Sequence, residues 1–291
     1  MSILITTPNG GVGRYLTEAL REREDVRFLV RSAASAEALG AVRGEVVRGD
    51  AADAADVRRA VAGVERLYLA HPFAEDQVSI EIGLGLAALE AGARRIVKLG
   101  ALAFSGAALP DAVTGAHDVV TERLRAEGVP ELTVLRPDRF LQNFLPLAAS
   151  IARGTLPDPV SRGARGYIDT RDIADVALAE LLAEHPVGGE IDLSGPQALT
   201  VPELAGRFGA VLGRPVRHVD VPMDGSWRAD LAERGVHPQV VDGLHDLYTN
   251  YLNEGAAGLG DGVQRMLGRP PRSVEDFAAE QLAPAVRRHL P

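Results

Sequence analysis

Six short apolar runs punctuate the first half of the chain: Ile3-Leu4-Ile5, Val26–Val30, Val46-Val47, Leu67-Tyr68-Leu69, Ile96–Leu99 and Leu132–Leu135. Each is too short for a helix. Several are apolar at successive positions rather than alternating, as strands buried on both faces are. Between them, Val12–Glu22, Asp53–Val61, Ile80–Ala91 and Ala116–Ala126 carry apolar residues at helical spacing. Strands and helices in alternation predict parallel strands joined by right-handed crossovers. The fold class that follows is α/β, a doubly wound, mostly parallel sheet.

After Leu135 the rhythm changes. Phe140–Ile151 reads as a helix, and Gly154-Thr-Leu-Pro-Asp-Pro as a turn-rich stretch. Tyr167-Ile168-Asp169 reads as a short strand, Asp172–Ala183 as an amphipathic helix and Ile191-Asp192-Leu193 as a last strand. From Pro196 onward the pattern is mainly helical, with Val201–Leu212 and Ser273–Leu282 the clearest helices. Ser273 and Asp276 are spaced to cap the second of these reciprocally. The expected organisation is therefore a main domain of residues 1–136 plus 167–195. A smaller, mainly helical lobe would take 137–166 plus 196–291.

Composition narrows the partners. The chain has 31 basic and 40 acidic residues, a formal charge of −9, which repels polyanions and argues against nucleic acid. No apolar window is long enough for a membrane helix, and the first residues lack the basic flank and apolar core of an export signal. With no cysteine anywhere, disulfide and thiolate chemistry are excluded, and the expected location is the cytoplasm. Lys98 is the sole lysine, so any lysine chemistry must use it.

The first strand runs into a glycine-rich turn and then a helix, Ile3-Leu-Ile-Thr-Thr-Pro-Asn-Gly-Gly-Val-Gly13. Gly10 and Gly13 have the spacing that ends a dinucleotide fingerprint. There the backbone approaches a pyrophosphate, the helix packs close to its strand, and helix amides face the phosphates. Thr7 stands where the first fingerprint glycine belongs; Asn9, Gly11 and Val12 complete the turn. This reading makes the sheet one of Rossmann type. An acid normally follows the second strand in NAD binders, yet Val30-Arg31-Ser32-Ala33 has none before Glu37. Arg31 and Ser32 suit a 2′-phosphate, which favours NADP(H) over NAD(H). Asp50, after the third strand, is placed either for adenine or as a helix N-cap.

Several stretches resemble the NmrA-like family of atypical short-chain dehydrogenases/reductases. Thr-Thr-Pro-Asn-Gly-Gly-Val-Gly13 is similar to its glycine loop, and Phe28-Leu-Val-Arg31 to its second strand. Leu135-Arg-Pro-Asp-Arg-Phe-Leu-Gln-Asn143, Tyr167-Ile-Asp-Thr-Arg-Asp-Ile-Ala174 and Leu193-Ser-Gly-Pro196 follow in the family's order. Gly268-Arg-Pro-Pro-Arg-Ser-Val-Glu-Asp-Phe277 resembles the ergot-alkaloid reductase-like members. The resemblance implies a small lobe closing a substrate cleft. It also implies an activity: NADPH-dependent hydride transfer to a small organic molecule such as an imine or iminium ion, a quinone or a conjugated C=C bond. On the same basis Ala70, His71, Pro72, Gly100, Ala101 and Pro137 would contact cofactor, while Phe140, Asn143 and Phe144 would line the cleft.

Most short-chain dehydrogenases protonate substrate with a Tyr-x-x-x-Lys pair. Here the residue four before Lys98 is Arg94, and the corresponding helix reads Val113-Thr-Gly-Ala-His117. His117 is thus the candidate proton donor, with an ordinary pKa suited to neutral pH. Tyr167 is the runner-up, and also a candidate cleft-lining substrate contact. A third alternative needs no protein acid, because an iminium carbon takes hydride without a coupled proton. Trp227 is a candidate substrate-lobe aromatic. Tyr248 and Tyr251 fit that role or a core or homodimer face equally. His237 and His245 read as surface residues. The histidines show no metal-ligand spacing, and no serine-nucleophile elbow or Walker loop is present. Two other readings stay open: a cofactor-sensing regulator without turnover, and a non-redox cyclase, isomerase or lyase.

Overall fold

The computed structural model describes residues 2–102, 112–253 and 258–290. Nine strands are present among them: β1 (Ile3–Ile5), β2 (Val26–Val30), β3 (Glu45–Arg48), β4 (Arg66–Leu69), β5 (Arg95–Leu99), β6 (Glu131–Pro137), β7 (Thr155–Asp158), β8 (Gly189–Leu193) and β9 (Arg217–Asp220). Seven form one sheet in the order β3-β2-β1-β4-β5-β6-β8. Every neighbouring pair from β3 to β6 is parallel. The order reverses direction beside β1, the crevice where open α/β sheets bind ligands.

The crossovers are α1 (Gly13–Leu20), α2 (Ala33–Leu39), α3 (Ala54–Val61), α4 (Gln77–Glu90) and α5 (Ala112–Ala126), with α7 (Thr170–Leu182) leading toward β8. β1 is buried along its whole length, as its unbroken apolar run requires. β3 departs from that rule: only Val47 is buried, because the strand sits at the sheet edge with one neighbour. Leu67, Leu69 and Ile96 pack on one face against Val57, Val61, Ile80, Leu84, Val120 and Leu124. Burying a side chain of this size is worth about 1.5–3 kcal/mol, which makes this layer a main support of the sheet.

The chain divides into two compact units. The first is Met1–Ala101, Thr114–Arg136 and Ile173–Ile191; the second is Leu102–Val113, Pro137–Asp172 and Asp192–Pro291. Residues 167–172 and 192–195, expected with the sheet, thus group with the second unit. In the first unit Glu180 of α7 is buried and accepts from Thr133 Oγ1 (2.6 Å), Val187 N (3.0 Å) and Gly188 N (3.1 Å).

The second unit has its own core, in which Leu141, Phe144, Tyr167, Leu204, Phe208 and Phe277 are buried together. A parallel pair of strands, β7 and β9, lies in it. That corrects the turn-rich reading of 154–159, which missed β7 because its partner is far along the chain, Thr155 pairing with Arg217. The expected helix over Phe140–Ile151 is broken. Leu141–Leu147 is a 3₁₀ helix containing Pro146, and only Ala148–Ala152 (α6) is α-helical. Pro146 has no N–H to give the preceding turn. Tyr167–Asp169 is not a strand, for Ile168 makes a single bridge to Phe140. The reciprocal cap of Ser273 and Asp276 is formed, but the helix behind it widens into a π turn at Ala278–Leu282.

Candidate functional site

The turn after β1 is held by its own backbone. Gly10 N donates to Thr7 O (3.0 Å) and Arg14 N to Gly10 O (3.0 Å). The Thr17 hydroxyl of α1 donates to Pro8 O (3.0 Å). A β-carbon on Gly13 would lie 1.8 Å from Thr7 O, whereas one on Gly11 would meet nothing within 4 Å. Only glycine at 13 therefore lets α1 start against the turn. No side chain caps the helix at Val12, and its first turn carries no acid. Arg14 N and Tyr15 N already donate to Gly10 O and Val12 O (both 3.0 Å), so an anion at this helix N-terminus would be met by the amides just before them, at Gly11 to Gly13, and by the helix dipole. Thr6, not singled out in the sequence, ties the turn to the neighbouring strand through Oγ1, which donates to Ala70 O (2.8 Å) and accepts from Ala70 N (3.0 Å).

The other candidate positions follow successive parallel strands and so share one edge of the sheet. Arg31 and Ser32 follow β2, Asp50 follows β3, Ala70-His71-Pro72 follow β4 and Gly100-Ala101 follow β5. Arg31 is exposed. Ser32 caps α2, its hydroxyl accepting from Ser35 N (3.1 Å), and Asn9 Nδ2 donates to Ser35 O (2.7 Å). Asp50 is not the cap of α3. That role belongs to Asp53, which accepts from Ala55 N and Asp56 N, while exposed Asp50 turns back on Ala52 N (2.9 Å). Pro137, at the end of β6, is buried and its carbonyl accepts from Leu102 N (3.0 Å).

Beneath the ends of β4 and β5 lies a polar cluster that sequence reasoning only half identified. Lys98 on β5 and Glu81 on α4 are both fully buried and form an ion pair at 2.8 Å. Lys98 Nζ also donates to Leu99 O (2.9 Å) and meets His117 Nδ1 at 3.0 Å. Gln77 Nε2 lies 3.2 Å from the same imidazole nitrogen and donates to Glu81 Oε1 (3.3 Å). The second oxygen contact of Glu81 is with the backbone: Oε1 accepts from His71 N at 3.0 Å, just after β4. Burial holds the Lys98 ammonium below its ordinary pKa against the opposing pull of Glu81. Burial, and then the Lys98 charge, push His117 down to about 3.

His117 is consequently neutral near physiological pH. The ordinary pKa expected for this ring is corrected, for the neighbour that would have to tolerate a second positive charge is an ammonium. Glu81 and Gln77 had a readable signal: an acid and an amide four residues apart on a mainly apolar helix. What they serve was not readable.

In the second unit Asn143 is exposed and Phe140 half-buried. Phe144 and Tyr167 are corrected as cleft-lining residues. Each is 1% exposed and packed in the core, their rings edge-on at 5.7 Å. Burial raises the Tyr167 hydroxyl to about 12, and its packing in the core, rather than that shift, is what counts against the runner-up as a proton donor. Trp227 is buried against His245 and Tyr248, and partly buried Tyr248 and buried Tyr251 flank the Arg139 guanidinium, so all three are engaged in packing. Arg139 itself pairs with buried Asp158, and Arg165 with buried Asp138 at 2.9 Å. Among the described residues, no group of His, Asp or Glu could hold a metal ion, and no helix is long and apolar enough to cross a membrane.

Sheet order and glycine turn define an α/β protein of the Rossmann class. Residues 1–229 match the model of the NmrA-like family, and the chain belongs to that family. It is similar to an NAD(P)H azoreductase of Xenophilus azovorans, 30% identical over 97% of this chain and 98% of that one. It is also similar to a (4-alkanoyl-5-oxo-2,5-dihydrofuran-3-yl)methyl phosphate reductase of Streptomyces griseus, 32% identical over 96% and 97%. The fold matches that of the Citrobacter sp. triphenylmethane reductase complexed with NADP(H), with a TM-score of 0.81, 21% identity and coverage of 99% and 100%.

Proposed function

We propose that the protein is an NADPH-dependent reductase of small, uncharged or cationic organic acceptors with conjugated multiple bonds. The observation that carries this reading is the turn at Thr7–Gly13, where a helix with an uncapped, acid-free N-terminus starts so close to the backbone that no β-carbon fits at Gly13. Such a cradle fits a pyrophosphate. Two relatives matched along nearly their whole length are named reductases, one of them NAD(P)H-dependent.

In this reading the amides from Gly11 to Gly13 hold the pyrophosphate, Gly10 lets the backbone approach it, and exposed Arg31 meets the ribose 2′-phosphate. Ala70 to Pro72, Gly100, Ala101 and Pro137 flank the nicotinamide half. The nicotinamide, when bound, supplies hydride. The residues of the chain fix orientation, which by proximity alone removes a large part of a barrier. Phe140 and Asn143 are the substrate contacts that remain after the fold has taken Phe144, Tyr167 and Trp227 into packing.

The test is a thermal shift with NADPH and NADH, followed by NADPH oxidation against a panel of azo dyes, quinones, enones and iminium ions. Stabilisation by NADPH and oxidation with at least one acceptor class are expected. No shift with either dinucleotide defeats the cofactor assignment. A shift without oxidation by any acceptor defeats the reductase assignment.

A further inference from the structure

The hydrogen bonds around Lys98 determine which nitrogen of His117 carries its proton. The Lys98 ammonium has three protons and three acceptors within reach: Glu81 Oε2, Leu99 O and His117 Nδ1. An ammonium has no lone pair to offer, so Nδ1 must be the acceptor. Gln77 agrees. Its Nε2 also faces the Glu81 carboxylate, which can only accept, and this fixes the amide with its N–H groups toward the imidazole. The proton of the neutral ring is therefore on Nε2.

That nitrogen makes no hydrogen bond among the described residues. His117 lines a small cavity of about 160 Å³ with Gly100, Ala101, Thr121 and the acids Asp118 and Glu122. Gly100 and Ala101 follow β5, on the sheet edge proposed above to receive the dinucleotide. Arg125 and Arg136 on the cavity rim are both bridged by Glu190, which offsets their charge. His117 thus joins this cavity to a buried ammonium, which is hydrogen-bonded to the ring nitrogen opposite the Nε2–H.

We propose that Lys98 and His117 form a proton relay serving neutral acceptors, those whose reduction leaves a negative atom that must be protonated. The proposal rests on the reductase reading. When hydride from the reduced nicotinamide adds to one end of an azo N=N or a conjugated carbonyl, the electron pair of the broken π bond collects at the other end. His117 gives its Nε2 proton to that atom, and Nδ1 takes a proton from Lys98. The products are the doubly hydrogenated acceptor, a neutral lysine amine and the Nδ1–H tautomer of His117; no net charge is created. One proton from water at Nε2, with return of the Nδ1 proton to Lys98, restores the start. A cationic acceptor such as a triphenylmethane dye becomes neutral on accepting hydride and leaves the relay unused. His117 would be a catalytic residue; Lys98 and Glu81 act through it.

Two measurements test this. In the first, NADPH oxidation is followed with a neutral azo dye and with a cationic triphenylmethane dye. The proteins are the wild type, His117→Ala, His117→Gln and the charge-balanced double variant Glu81→Gln/Lys98→Met. The expected result is a loss of kcat about a hundredfold greater with the azo dye than with the cationic dye, and a solvent deuterium isotope effect in the wild type with the azo dye alone. Equal losses with the two dyes, or none with either, overturn the relay. In the second, ¹⁵N NMR of histidine-labelled protein without dinucleotide reads the His117 tautomer. The expected spectrum shows Nε2–H, unchanged between about pH 5 and 8. An Nδ1–H ring, or one that titrates normally, overturns the relay even in an active reductase. Reduction of neither dye, with a His117 spectrum as expected, defeats the reductase reading and with it the catalytic use of the relay.

Discussion

Gly13 and Thr7 stand so close that a β-carbon on the glycine would overlap the threonine carbonyl oxygen at 1.8 Å. The close approach is what allows α1 to begin directly over the turn. Gly11, two residues earlier, has open space around it.

The two glycines should therefore respond differently to the same change. Gly13→Ala is expected to displace α1, to lower stability by about 1–3 kcal/mol as overpacking does, and to abolish stabilisation by NADPH. Gly11→Ala should leave stability within about 0.5 kcal/mol. Urea denaturation with and without NADPH measures both. Equal effects at the two positions would refute the close-packing account.

Arg31 is exposed on the loop after β2, with no acid between it and Glu37. Removing a charged hydrogen-bond partner of a phosphate costs about 1.5–3 kcal/mol, so Arg31→Ala should weaken NADPH by roughly ten- to a hundredfold. NADH, which lacks the 2′-phosphate, should be nearly unaffected. Fluorescence titration of both dinucleotides gives the ratio, and equal weakening of the two would reassign Arg31 to another role.

The low pKa of His117 has a consequence for acid stability. Its value in the folded protein is about 3, against an ordinary 6.5. Between those limits the unfolded chain binds a proton on this ring and the folded chain does not. Stability contributed by the neutral ring is thus fully present above about pH 6.5 and is lost as pH falls toward 3. His117→Gln should make the dependence of the urea midpoint on pH shallower across that window. An unchanged slope would mean that the imidazole protonates equally in both states.

Asp158 is the carboxylate partner of Arg139, both buried, inside a ring of Phe144, Tyr167, Tyr248 and Tyr251. Asp158→Ala leaves a buried guanidinium unpaired and removes the acceptor of Val160 N. A loss of about 3–5 kcal/mol is expected. The double variant Arg139→Met/Asp158→Leu should recover a large part of it, since the cost lies in the stranded charge. Calorimetric unfolding of both variants decides.

The pattern of Ile3-Leu4-Ile5 and its successors was enough to place the parallel strands, because a strand buried on both faces needs nothing beyond its own apolar run to be recognised. α2 escaped notice: of Ala33–Leu39 only Leu39 is buried, so seven residues carry no stripe. β7 and β9 escaped because their partners are distant in sequence and each is short and polar. Phe144, Tyr167 and Trp227 were legible as aromatics near the site, yet aromatic character does not tell a pocket wall from a core.

By itself the sequence determined the α/β sheet, the glycine turn at 10–13 and the fact that lysine chemistry could reside only at Lys98. Those are local properties, set by periodicity, by the absence of a β-carbon and by composition. Only the tertiary structure decided that Lys98, Glu81 and His117, drawn from a strand and two helices, meet in one polar cluster. It also decided that His117 is neutral there. A pKa belongs to the surroundings of a group, and those surroundings exist only once residues 17 and 36 positions apart have been folded onto one another.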